Sequence, residues 1–315
     1  MLALLFPGQG SQEVGMGREV CEVSDAARSV FADADRALGF ELSRICFEGP
    51  EAELRRTEIQ QPAILATSIA LLRALEEFTE VDPHWFAGHS LGEYSALVAT
   101  GALPLDAAVA LVHARGRFMQ EAVPDGQGAM AAILGCEPAA VAEACETAAA
   151  ATGAVVAPAN WNSPQQTVIA GTVAAVEAAG EEAKARGARR VVALDVSAPF
   201  HCALMEPAAD KLAAELAGVT FSPYRRPLVT NVEAEPNTDS SRTAELLRRQ
   251  VTAPVRFTES VRRLVELGTT RILEVGPGRV LSGLVARIDR GVARAALTGA
   301  NELEEAAAFV APQAA

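Results

Sequence analysis

Residues 86–96 read F-A-G-H-S-L-G-E-Y-S-A, an apolar run broken by a serine framed by two glycines and then resumed. A G-x-S-x-G frame between a strand and a helix makes a sharp turn. The serine is forced to a strained, exposed apex, and the closely approaching backbone leaves room only for glycine at the frame positions. How this frame folds decides the architecture, because such a turn belongs to a sheet whose strands feed helices. The surrounding sequence meets that requirement. Apolar runs suited to buried strands occur at L-A-L-L-F (2–6), W-F-A-G (85–88), P-L-V-T-N (227–231) and R-I-L-E-V (271–275). Between them, A-I-L-A-T-S-I-A-L-L-R-A-L (63–75) and L-D-A-A-V-A-L-V-H-A-R (105–115) place apolar residues at helical spacing. The pattern predicts an α/β layer architecture with a mostly parallel sheet.

Between residues 126 and 196 the pattern becomes a compact alternation. A-M-A-A-I-L-G (129–135) reads as a strand, and P-A-A-V-A-E-A-C-E-T-A-A (138–149) as a helix with proline in its first turn. A-V-V-A-P-A-N (154–160) and Q-Q-T-V-I-A-G (165–171) read as paired strands around an N-S-P turn. A helix capped by Thr172 follows, and then a last strand R-R-V-V-A-L-D-V (189–196). The order β-α-β-β-α-β is that of a ferredoxin-like unit inserted into the larger domain. The expected division is a catalytic core of residues 1–125 and 197–315 with an inserted subdomain of residues 126–196. Two lobes make a cleft where a ligand can bind.

Composition narrows the function classes. Twenty-seven basic and 40 acidic side chains leave a net charge of −13, which offers no overall field for nucleic acid or an anionic membrane. The densest basic run is K-A-R-G-A-R-R (184–190), with Arg186, Arg189 and Arg190 as a candidate docking patch; a solvated helix end is the competing explanation. Five scattered cysteines without C-x-x-C spacing indicate neither a disulfide framework nor a zinc site, and a cytoplasmic location is expected. The first residues, M-L-A-L-L-F, carry no basic region ahead of the apolar run and read as a strand and not a signal peptide. No segment approaches the ~20 apolar residues that span a bilayer.

A serine hydroxyl needs a base within hydrogen-bond reach to attack at neutral pH. The chain has four histidines. His89 adjoins Ser90 and points away from it by strand alternation. His84 begins the same strand, and His113 sits mid-helix among apolar residues, where a structural role fits. His201 remains, in the loop D-V-S-A-P-F-H-C-A-L-M (195–205) that leaves the last small-lobe strand. A third, acidic member is not evident: Asp195 is near in sequence, and a backbone carbonyl can orient an imidazole equally well. In the helix carrying R-G-R-F-M-Q (115–120), Arg117 is expected to snorkel to solvent. Arg115, if it faces the cleft, needs a carboxylate or phosphate partner, which a substrate can supply.

Seven motifs in order resemble the malonyl-CoA:acyl carrier protein transacylases. They are F-P-G-Q-G-S-Q (6–12), G-H-S-L-G-E (88–93), R-G-R-F-M-Q (115–120), N-W-N-S-P (160–164), H-C-A-L-M (201–205), P-V-R-F (254–257) and E-V-G-P-G (274–278). The resemblance implies an α/β-hydrolase-like core carrying the ferredoxin-like lobe. It implies that Ser90 is acylated, His201 is its base and Arg115 holds the malonyl carboxylate. The backbone carbonyl of Gln250 would orient the histidine, and the amides of Gln9 and Leu91 would form the oxyanion hole. Gln61, Asn160 and Phe200 would line the acyl pocket, Phe200 crowding an α-methyl branch. The implied partners are coenzyme A thioesters, with malonyl-CoA as donor, and an acyl carrier protein bearing phosphopantetheine, in fatty-acid or polyketide synthesis. No bound cofactor or metal is expected, and a monomer is. An esterase or thioesterase would share elbow and histidine, but such hydrolases place an acid between serine and histidine in chain order, and none is identifiable here.

Overall fold

The computed structural model describes residues 1–311 of the chain, so the last four residues of the expected core lie outside the described residues. The described strands are β1 (Leu2–Phe6), β2 (Trp85–Gly88), β3 (Gly128–Leu134), β4 (Val156–Ser163), β5 (Gln166–Thr172), β6 (Arg190–Ala193), β7 (Leu228–Val229), β8 (Pro236–Asn237), β9 (Arg271–Val275) and β10 (Ala293–Leu297). They form two sheets. The larger has the order β10-β9-β1-β2-β7-β8 and is parallel except for β8, which runs antiparallel to β7.

Strand β1 shows why the sheet is covered on both faces. Its side chains alternate, so Leu2, Leu4 and Phe6 enter one core while Ala3 and Leu5 enter another with Val261, Leu264 and Val285. The first core is filled by the helix Thr57–Phe78, which is apolar nearly all round and buried accordingly. Pro62 lies inside that helix and cannot donate to the carbonyl of Glu58 one turn earlier. His113 Nδ1 sits 2.8 Å from that carbonyl, which gives His113 the structural role its apolar helix suggested.

The smaller sheet has the order β4-β5-β3-β6 with every pair antiparallel, the arrangement of a ferredoxin-like unit. One face of β3, with Ala131 and Ile133, packs on the helices Pro138–Thr152 and Val173–Ala185. The opposite face, with Met130 and Ala132, joins the core of the large lobe. Strand β4 is stitched to the large lobe by Trp161 N–H to Val255 O and Val255 N–H to Ala159 O, both at 2.9 Å.

Three local expectations are corrected. The strand expected over 227–231 is only Leu228–Val229, because Thr230 N–H turns back to Glu235 O. The strand expected over 189–196 ends at Ala193, leaving Asp195 exposed. Thr172 precedes the helix Val173–Ala185, but its hydroxyl makes no capping hydrogen bond.

Parallel pairing brings the ends of β1 and β2 level, with Phe6 opposite Gly88. The loops after β1, β2 and β7 therefore emerge at one edge, where open α/β sheets place ligands. The elbow fits there only because its frame residues lack side chains. A methyl on Gly92 would overlap the Phe6 carbonyl, and one on Gly88 would overlap the backbone of Gly92. Gly92→Ala is expected to destabilise the fold by about 3 kcal/mol through overpacking, read as a lower denaturation midpoint.

Candidate active site

Ser90 follows β2 and adopts φ 51°, the left-handed region that a non-glycine residue occupies only when its surroundings hold it there. Those surroundings are side chains. Asn231, in the loop after β7, accepts from Ser90 N–H at 2.6 Å and donates to Gly88 O at 2.7 Å. Gln250 Nε2 donates to Ser90 O at 3.0 Å. The result is a serine whose backbone is clamped and whose hydroxyl faces the cleft.

His201 has left-handed backbone as well, φ 59°, and its Nε2 lies 2.7 Å from Ser90 Oγ. Its Nδ1 is 2.8 Å from Gln250 O. A carbonyl can only accept, so Nδ1 carries the proton and Nε2 is left to accept from the serine hydroxyl. The orienting group is this carbonyl. Asp195 instead lies 3.6 Å from Arg55 with its side chain fully exposed. Burial, reinforced by the Arg115 charge, pushes the His201 imidazole down to about 3, so it is neutral at physiological pH. His89 points elsewhere and bonds Asn162 Oδ1 across the lobes at 2.8 Å.

Arg115 is completely buried. Its Nη1 donates to Gln61 Oε1 at 2.7 Å, and its Nη2 to Ser90 Oγ at 3.0 Å and Gln250 Oε1 at 3.1 Å. None of these partners carries a charge, and Nε has no hydrogen bond. A buried guanidinium without an anion is costly, and here it sits beside the one hydroxyl poised to react. Arg117, two residues on, is half exposed, as its neighbours suggested.

A cavity of about 580 Å³ opens onto Ser90 and His201 and is lined from both lobes, by Gln9, Met130, Asn160 and Phe200 among others. Leu91 stands just before the helix Gly92–Ala99, where backbone N–H groups point outward. Gln61 lies against Arg115 and holds it in place. Among the described residues, no group of three or more His, Cys, Asp or Glu could hold a metal ion.

Three residues of this site were not recognised from sequence. Asn231 and Asn162 stand within the runs P-L-V-T-N and N-W-N-S-P, but nothing there singles out their side chains for the site, since an asparagine at a strand end or turn is ordinary. Glu93 gave one: it is the only charge in the helix G-E-Y-S-A-L-V-A, which is apolar on all sides and so must be buried.

Fold and site together define the class, an α/β acyltransferase. Residues 3–310 match the acyl transferase domain family. The malonyl CoA-acyl carrier protein transacylase of Escherichia coli K12 is 50% identical over 286 residues, 91% of this chain and 92% of that protein. An acyl carrier protein S-malonyltransferase structure from Vibrio cholerae superposes with a TM-score of 0.94 at 44% identity, covering 97% of this chain and 99% of that one. A malonyl-transacylase solved with a type II PKS acyl-carrier protein gives 0.94 at 45% identity, covering 98% and 99%. The chain belongs to the malonyl CoA-acyl carrier protein transacylase family. The seven-motif resemblance therefore held for family, fold and enzyme class.

Proposed function

We propose that this chain moves a malonyl group from malonyl-CoA to the phosphopantetheine thiol of an acyl carrier protein through a malonyl-Ser90 intermediate. The carrying observation is one hydroxyl, Ser90 Oγ, placed 2.7 Å from His201 Nε2 and 3.0 Å from Arg115 Nη2. Ser90 Oγ attacks the thioester carbonyl as its proton passes to Nε2. The oxyanion is held by the amides of Gln9 and Leu91, each worth about 2.7–4 kcal/mol where such donors have been removed. The C–S bond breaks, and coenzyme A leaves with the proton from Nε2. The carrier thiol then gives its proton to His201 and attacks the Ser90 ester, and the same steps run in reverse. Arg115 pairs with the free carboxylate, with Gln61 orienting the guanidinium and Asn160 and Phe200 shaping the acyl pocket.

The names of the relatives support the donor and acceptor, and the solved complex supports a carrier protein as partner. The two sheets support a division into a core of residues 1–125 and 197–311 and an insert of residues 126–196. One chain carries all three groups, so a monomer is the proposed working unit, and five free, buried cysteines accord with a reducing cytoplasm. Exposed Arg189 and Arg190 form the proposed docking patch, while Arg186 is engaged by Glu182 and Thr147 and contributes less.

Mass spectrometry of the protein exposed to malonyl-, acetyl- or methylmalonyl-CoA tests this. A malonyl adduct on the Ser90 peptide is expected, stable in water and discharged by a phosphopantetheine thiol, with the other two acyl groups loading at least about tenfold more slowly. No adduct, or discharge by water as fast as by thiol, would return the site to the hydrolases.

A further inference from the structure

Behind the nucleophile lies a buried carboxylate that the transfer steps leave unused. Glu93 is 2% exposed, and a single oxygen, Oε2, accepts from Gln250 Nε2 at 2.7 Å and from Asn231 N–H at 3.1 Å. The orientation of the Gln250 amide is settled by its neighbours. Arg115 can only donate, so it faces Oε1; Ser90 O and the Glu93 carboxylate accept, so they face Nε2. One amide thus separates the Arg115 cation from the Glu93 carboxylate and keeps them from pairing directly.

We propose that Glu93 is a positioning residue and the remote counter-charge of Arg115: it holds Gln250 and Asn231 in place, and its charge state sets how strongly the guanidinium attracts the substrate carboxylate. The proposal rests on Arg115 being the malonyl clamp. Had Glu93 reached Arg115 directly, the pair would neutralise itself and compete with substrate. Held one amide away, Glu93 lowers the cost of burying the cation while leaving Nη1 and Nη2 bonded only to neutral groups, which a carboxylate can displace.

The groups facing Glu93 are Arg115 from the helix Leu105–Glu121, Tyr94 on its own helix, and Glu233 and Tyr224 from neighbouring segments. Burial pushes Tyr94 up to about 12 and raises Tyr224 too. Glu233, pushed up by partial burial, is nonetheless held below the usual carboxylate range by Arg242 and Arg249. Glu93 itself is pushed up to about 7 by burial, against the opposing pull of Gln250, Asn231 and Arg115. Of these groups it is the one that changes charge between pH 6 and 8. Protonation can take place on Oε1, so both hydrogen bonds to Oε2 persist and only the charge is lost.

The test compares malonyl-CoA with acetyl-CoA as donors to the full-length protein between pH 6 and 8. Both share the coenzyme A phosphates, so titration of those groups cancels in the ratio of the two kcat/KM values. In the wild type the malonyl-to-acetyl ratio is expected to rise about tenfold as pH falls from 8 to 6, carried by the malonyl KM; this is the effect of one charge about 10 Å away at an effective dielectric near 20. Glu93→Gln, whose amide oxygen can accept both bonds, is expected to hold the ratio at the low-pH value throughout. A flat wild-type ratio overturns the proposal and needs no variant to fold; so does a Glu93→Gln profile that follows the wild type. Arg115→Ala separates the two layers. If it leaves malonyl preference intact, the clamp fails; if preference collapses while Glu93→Gln keeps the wild-type profile, the clamp stands and the Glu93 role fails.

Discussion

Replacing Ser90 with alanine is expected to lower malonyl transfer by about 10⁶-fold, the scale seen when a member of a serine–base unit is removed, and to abolish the acyl adduct altogether. The loss is this large because the other hydroxyls lining the cavity, Thr57 and Ser197, pair with each other at 2.8 Å and have no histidine beside them, whereas Ser90 has His201. Cys202, next in sequence to His201, is buried and donates to Pro199 O at 3.1 Å, and its thiol is pushed up to about 11 by that burial, far from a reactive thiolate. The variant should fold, since the Ser90 backbone bonds to Asn231 and Gln250 do not involve the hydroxyl. Left-handed backbone costs alanine about as much as serine. Steady-state transfer and intact-protein mass spectra check it. Persistent adduct formation in Ser90→Ala would move the chemistry to another residue.

Much of this architecture was legible because it rests on local periodicity. Four of the six strands of the large sheet and all four of the small one were readable from apolar runs bounded by turns. The two missed strands carry no such signal. In β10, A-R-A-A-L has the composition of a helix and lies at the sheet edge, while β8 is two residues beginning with proline. The Ser90–His201 hydrogen bond was accessible by elimination among four histidines. How His201 is oriented was legible only through the family resemblance, which pointed to the Gln250 carbonyl that the structure places 2.8 Å from Nδ1; residue type alone carries no such signal, because any amino acid at position 250 would supply a carbonyl. The Gln250 side chain, by contrast, joins Ser90, Arg115 and Glu93, contacts that arise only once three separate segments meet at the carboxyl edge of the sheet. Separations of 135 to 160 residues along the chain lie between Gln250 and these partners, beyond the reach of any periodic pattern.

Arg115→Ala is expected to erase the preference for malonyl over acetyl, a change of about 10²–10³ in the ratio of the two kcat/KM values. That corresponds to the roughly 3–5 kcal/mol cost of leaving a buried charge unpaired. Two effects act together in the wild type. An acetyl group supplies no anion, so the guanidinium keeps only its remote counter-charge; on the proposed function a malonyl carboxylate pairs with it through two parallel hydrogen bonds. The second effect reaches the base. The Arg115 charge helps hold His201 down to about 3, after the larger contribution of burial. A carboxylate bound to Arg115 offsets that repulsion and raises the basicity of Nε2 while the correct donor is in place. In Arg115→Ala the repulsion is absent for every donor, so acetyl loading should quicken as malonyl loading slows. Arg115→Lys keeps the charge without the fork and should recover only part of the preference, since a point charge cannot reproduce paired contacts to Gln61, Gln250 and a carboxylate. Single-turnover loading of Ser90 by each donor measures both arms. A malonyl-to-acetyl ratio equal to wild type in Arg115→Ala would mean that selectivity comes from the shape of the Asn160 and Phe200 pocket and not from charge.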